Sequence, residues 1–305
     1  MNLRKATLKL GFKLRLLLFG HIFNPLWRSR EERREVRNNV KTEGIIRYLR
    51  EFYLPRVDSV PDTGVVQSGQ EKIFSIWLQG ETQAPPLVRA CFDSIRRHCR
   101  QELVVLDDTT LGEYIHLPGT IVDKFRKGII KPAHYADICR VELLYEYGGI
   151  WLDSTCFATA PVPQWMLDED MFVYLAGKVV DCHYSYMQNC FIRARKGSWL
   201  LAAWRRMILD YWMEENSHLD YFQHQLMFKT LVNHNPKAAA LFARMPHVDQ
   251  DPTHLLWYTI REDKWSEEAF RNATSGSFFQ KTTYRDARHP VPGTVMYEMI
   301  NNPEI

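Results

Sequence analysis

The chain has 305 residues, enough for one α/β domain with additions or for two small domains, and its 46% hydrophobic content is ordinary for a globular protein with a sizeable core. The net charge of +3 hides an asymmetry: residues 1–60 hold 14 Lys/Arg against 6 Asp/Glu, +8, so the remainder carries −5. The basic portion calls for an anionic partner, whereas the acidic remainder argues against a nucleic-acid binder.

Residues 1–30 alternate basic and apolar side chains: Arg4, Lys5, Lys9, Lys13 and Arg15 among Leu8, Leu10, Phe12, Leu14 and Leu16. The charge-free run 16–27 is too short to span a bilayer of about 30 Å, and no small-residue cleavage site follows it. The pattern predicts a basic amphipathic segment lying on an anionic membrane; the alternative is a helix packed on its own domain. Residues 28–56, with Arg30, Glu31, Glu32, Arg33 and Arg34, predict a solvated helix, and 57–70, with Pro61, Gly64 and Gly69, a linker. The chain therefore divides into a helical, basic extension over 1–65 and a main domain over 66–305.

Residues 72–79 predict the first core strand, 87–100 a helix and 103–106 a second strand, an order that indicates a parallel α/β unit. Trp77 falls in the first strand, and Asp107 after the second reads as a cap for the next segment, with contact to a nucleoside the alternative. Beyond 155, strands are expected over 171–175 and 187–194 and helices over 198–215 and 219–233. Trp199, Trp204, Tyr211 and Phe222 in those helices read as core, and His224 as a weak site candidate. The six cysteines (91, 99, 139, 156, 182, 190) form no C-x-x-C pair, which excludes a zinc ribbon and predicts reduced, buried thiols of a cytosolic protein.

Residues 131–155 organise the rest. Pro132 suits a first helical turn, and 133–147 has helical apolar spacing through Ile138, Val141, Leu144 and Tyr145. Gly148 and Gly149 stop the helix, and 150–152 is a short interior strand. Asp153 thus emerges at a strand's carboxyl end, the edge where open α/β sheets bind ligands. Asp137 and Arg140, three apart, share a helix face; a surface salt bridge is the plainer account of that pair.

The run A-H-Y-A-D-I-C-R-V-E-L-L-Y-E-Y-G-G-I-W-L-D-S-T resembles the signature of the capsular polysaccharide synthesis group, related to glycosyltransferase family 32 and to the glucosylating toxins. The likeness extends over residues 72–285, through F-I-R-A-R-K-G-S-W-L-L, L-D-Y-F-Q-H-Q-L-M-F and a late Q-K-T-T-Y. Ala136 stands where the family pattern has serine, and Thr155 where D-x-D has its second carboxylate. The resemblance implies an α/β, GT-A-like nucleotide-sugar transferase domain. It implies Asp153, Asp137 and Arg140 as catalytic residues, with Asp153 and Thr155 holding Mn2+ or Mg2+ to neutralise a departing diphosphate. It further implies donor binding by Asp137, Arg140, Gly149 and Lys281, with Trp77 and nearby Gln79 at the nucleotide base.

The expected function is metal-dependent, retaining glycosyl transfer from a nucleoside diphosphate sugar, UDP favoured. The acceptor would be a glycan or lipid-linked glycan in bacterial capsule, exopolysaccharide or lipopolysaccharide synthesis. The enzyme would be cytoplasmic, peripheral on the inner face of the cytoplasmic membrane through residues 1–30. The alternatives are a noncatalytic sugar-nucleotide-binding scaffold and a haloacid-dehalogenase-type phosphatase, which needs an Asp where Thr155 stands.

Overall fold

The computed structural model describes residues 3–22, 29–66, 71–179 and 186–305. Residues 23–27 of the charge-free run, 67–70 of the expected linker and Cys182 lie outside them.

The main sheet is mixed, with strands in the order β2-β1-β3-β6-β5. Strand β1 (Lys72–Ile76) pairs in parallel with β2 (Glu102–Leu106) and with β3 (Gly149–Leu152). Strands β6 (Met187–Ala194) and β5 (Met171–Leu175) extend the sheet antiparallel. A second, two-stranded sheet joins β4 (Cys156–Ala158) to β7 (Phe279–Lys281). The α/β class and the parallel first unit are as expected.

Helices cover the sheet because its interior strands are apolar on both faces. Val105 of β2 packs with Val88 and Phe92 of helix α3 (Pro86–His98), while Val104 and Leu106 join the main core. Two short helices, α4 (Leu111–Tyr114) and α5 (Gly119–Arg126), lead to α6 (Pro132–Tyr147). After α7 (Gln164–Asp168) and the antiparallel strands come α8 (Trp199–Glu214) and α9 (Gln223–His234). Trp204 and Tyr211 are fully buried, and the described cysteines are free and buried, as the sequence predicts.

Helix α6 is buried on nearly every side from His134 to Leu144, since it lies between strands β1 and β3 and helix α8. Pro132 occupies its first turn, and Gly148 ends it with φ +69°. At Gly149, φ is +99° and a Cβ would stand 2.6 Å from the Lys72 carbonyl oxygen, so β3 approaches β1 closely only because that residue has no side chain.

Two expectations about the amino-terminal part need correcting. Helix α1 (Leu3–Leu17) leads to α2 (Arg30–Phe52), which opens with a Ser29/Glu32 capping box and is solvated along its first half only. Ile45, Ile46, Tyr48 and Leu49 are buried against the domain, and each such apolar side chain contributes roughly 1.5–3 kcal/mol. The expected linker starts with Val57, which is fully buried, and Val66 N–H bonds the Lys196 carbonyl at 2.8 Å. Charge patterning reads the exposed turn of α2 correctly and misses the later switch to an apolar stripe.

Candidate functional site

Because β1 and β3 run in parallel with Phe74 beside Trp151, their carboxyl ends open on the same edge. Trp77 follows β1 there and Asp153 follows β3. Asp153 is held by its backbone, whose N–H bonds Cys190 O at 2.8 Å and whose carbonyl accepts from Cys156 N at 2.9 Å. Its Oδ1 accepts from Trp151 Nε1 at 2.8 Å and lies 3.5 Å from Arg140 Nη2. Its Oδ2 lies 3.2 Å from Lys281 Nζ. Lys281 also donates to Thr155 Oγ1.

Lys281 reaches this position through β7, where it pairs with Cys156, next to Thr155. Lys281 therefore sits in a strand, its side chain 24% exposed against 23% for Asp153. Burial works to raise the Asp153 pKa, but the Lys281 and Arg140 charges outweigh it and hold the carboxyl below its ordinary range. The same pairing with Asp153 raises Lys281 against the opposing effect of burial. Both groups are thus charged at neutral pH.

Asp137 and Arg140 are buried rather than solvated, which corrects the surface-pair account. Their side chains approach to 3.3 Å. Asp137 also accepts from Asn189 Nδ2 at 2.9 Å and lies 3.5 Å from His134 Nδ1. Arg140 donates to Asn189 O and lies over the Trp151 ring, 4.9 Å from its centre. Burial opposes the charged form of Asp137, yet Arg140 and the neighbouring imidazoles keep its pKa low. His224 is buried nearby with both ring nitrogens unpartnered among the described residues, and burial pushes its pKa down to about 3.

Trp77 lies just beyond its strand, edge-on to Tyr284 at 5.5 Å, and its Nε1 is buried without a partner among the described residues. Gln79 is exposed in the turn that comes next. Gly149 is at the opposite end of β3 from Asp153, so its service is to strand packing. Asp107 accepts from the backbone and hydroxyls of Thr109 and Thr110, the capping role expected of it, and its pKa falls to about 2. Sequence reasoning misses Asn189, His134 and Tyr284. His134 and Tyr284 carry a signal, as members of the A-H-Y-A-D and Q-K-T-T-Y runs, and Asn189 carries none.

Asp153 and Thr155 do not fit a divalent cation. They offer a single carboxylate, and an N–H donor or a cation already faces each of its oxygens. An ion bound to Asp153 would also meet the Lys281 ammonium, which already lies 3.2 Å from Oδ2. Among the described residues no group of three or more His, Cys, Asp or Glu side chains has a metal-holding arrangement.

Fold and site together define an α/β protein with a charge-paired, partly open centre at the carboxyl edge of its sheet. Residues 26–299 match the family described as capsular polysaccharide synthesis protein, and the chain belongs to that family. It is 25% identical over 176 residues to the O-glycosyltransferase braB of Annulohypoxylon truncatum, covering 52% of this chain and 42% of that protein. It is 32% identical over 179 residues to the glycosyltransferase afumC of Aspergillus fumigatus, covering 53% and 46%. The matches thus span less than half the length of these curated relatives. Among solved structures, the PaToxG glycosyltransferase aligns at 12% identity with a TM-score of 0.39, over 88% of this chain and 95% of that one.

Proposed function

We propose that this chain is a GT-A-like glycosyltransferase that moves a sugar from a nucleoside diphosphate sugar, UDP favoured, to a glycan or lipid-linked glycan acceptor. Capsule, exopolysaccharide or lipopolysaccharide synthesis is the process we assign it to. Family membership and the names of the fungal relatives support the class. The observation that carries the reading is the grouping of Asp137, Arg140, Asp153 and Lys281 at the sheet edge that also holds Trp77.

In this reading the base lies by Trp77 and Tyr284, and Asp137 accepts from hydroxyls of the donor sugar. Arg140 presents its planar fork to sugar or phosphate oxygens. The anomeric carbon bonds the acceptor oxygen while the bond to the diphosphate oxygen breaks, and the product keeps its anomeric configuration. Arg140 and Lys281, not a metal ion, are the cations that face Asp153 in this centre.

We place the enzyme peripherally on the cytoplasmic face of a membrane. Leu3, Leu10, Leu14 and Leu17 are exposed on α1 and fall within about 60° of one another around the helix, with exposed Lys13 beside them. Among the described residues no helix is long and apolar enough to cross a membrane.

The test is a screen of UDP-, GDP- and CMP-sugars for thermal protection of the protein and for release of free sugar. A ligand of the native state must raise apparent stability. Protection with slow hydrolysis by one donor class supports the enzyme; protection with no turnover on any acceptor indicates a sugar-nucleotide-binding scaffold. No protection by any donor refutes the reading.

A further inference from the structure

We infer that the Lys281 ammonium stands where a divalent cation would act, and that it meets the negative charge developing on the diphosphate leaving group. The inference rests on the glycosyltransferase reading. It starts from the disagreement between the divalent cation that the family resemblance implies and the residues present at Asp153.

The lysine is firmly placed. On one side of β7, Thr282 N and Thr282 Oγ1 each donate to Thr155 O at 2.8 Å. On the other, the Gln280 side chain donates to Pro252 O at 2.9 Å and accepts from Leu256 N at 3.1 Å. The strand therefore cannot slide, and the ammonium is delivered to Asp153 Oδ2 and Thr155 Oγ1. Those bonds use two of the three donors an ammonium carries, and the side chain retains partial exposure. This also accounts for Thr155, whose hydroxyl orients a lysine and so needs no second carboxylate.

The charge count agrees. Asp137 and Asp153 balance Arg140 and Lys281, so the centre is neutral without a metal. A compact ammonium is a suitable point charge for a phosphate oxygen. The segment that carries Lys281 ends three residues later on Tyr284, against Trp77. One short stretch of chain thus serves both the proposed base position and the proposed phosphate position.

In the step itself, the bond between the anomeric carbon and the β-phosphate oxygen breaks and its electron pair goes to that oxygen. Lys281 donates an N–H to the oxygen as charge appears. The acceptor hydroxyl oxygen bonds the anomeric carbon, and its proton leaves to water. Lys281 keeps its own proton throughout.

The experiment uses the full chain and measures two things: UDP and GDP binding by calorimetry, and sugar release from the donor that protects best. Each is run in EDTA and again with Mn2+. Wild type is expected to bind and turn over in EDTA, with Mn2+ adding no more than a few-fold. Lys281→Ala and Lys281→Met should each lose about 10²-fold in sugar release in EDTA. Lys281→Arg, which keeps the charge, should retain a substantial part, and thermal unfolding identifies the variants that fold. A wild type that needs Mn2+ would overturn the inference while leaving the glycosyltransferase reading intact. So would a folded Lys281→Met as active as wild type. If neither diphosphate nor any sugar donor binds wild type in either buffer, the glycosyltransferase reading falls and takes this inference with it.

Discussion

Glu215 gives the sharpest quantitative test of how the amino-terminal helices are attached. Its carboxylate is 10% exposed and accepts from Lys9 at 2.6 Å and Lys5 at 3.3 Å. It also accepts from the Tyr53 hydroxyl at 2.8 Å and from the Tyr48 hydroxyl. Burial opposes its charge, but the Lys9, Tyr48 and Tyr53 hydrogen bonds prevail and lower its pKa from 4.5 to about 2. At about 1.4 kcal/mol per pH unit, the difference is on the order of 3 kcal/mol. Because the folded pKa is the lower one, this stability is present in full above about pH 4.5 and is lost as pH falls toward 2.

Glu215→Gln should therefore cost about 2–3 kcal/mol in urea unfolding at pH 7, slightly less than the full figure because the amide still accepts from one tyrosine. The gap between variant and wild type should close as pH drops from 5 to 2. Limited proteolysis should also cut near α1 more readily, since Lys9 loses its carboxylate while Lys5 keeps Glu214 at 2.6 Å. A gap under about 0.5 kcal/mol at pH 7, or one that does not change with pH, would refute the electrostatic account of this contact.

Asp153→Asn should lower transfer by about 10²–10³-fold while the protein remains folded, and wild-type turnover would sink the site. Arg140→Ala should be both inactive and about 3 kcal/mol less stable, because it takes the guanidinium from buried Asp137; normal stability in urea would contradict the burial of that pair. Gly149→Ala should cost at least about 2 kcal/mol in unfolding experiments, since positive φ and the Lys72 carbonyl both oppose a Cβ. Exchanging Leu10, Leu14 and Leu17 for Glu should abolish pelleting with anionic liposomes and leave activity on a water-soluble acceptor intact; undiminished pelleting would remove the membrane assignment.

The sequence shows the centre of the fold plainly and its margins poorly. Helix α6, its glycine stop and the strand leading to Asp153 are legible because proline, paired glycines and an apolar run each carry a local rule. The parallel β1–α3–β2 unit is legible for the same reason. Burial of Asp137 and Arg140 is not, because it depends on α8 and β6 closing over α6, contacts that no local spacing encodes. Lys281 stands out only through the family resemblance. Its pairing with Asp153 and Thr155 arises from the β4–β7 ladder, whose two short strands look like loop. Asn189 gives no sign of itself inside a hydrophobic strand.

That ladder also bears on how the protein is made. Thr155 and Lys281 are 126 positions apart, so the centre closes only when a long loop has been traversed, a slow kind of contact to form. During synthesis, which proceeds at about 5–20 residues per second, the sheet edge with Asp153 leaves the ribosome many seconds before β7 does. For that interval Asp153 lacks Lys281. By this order of events the centre is completed only when β7 docks on β4.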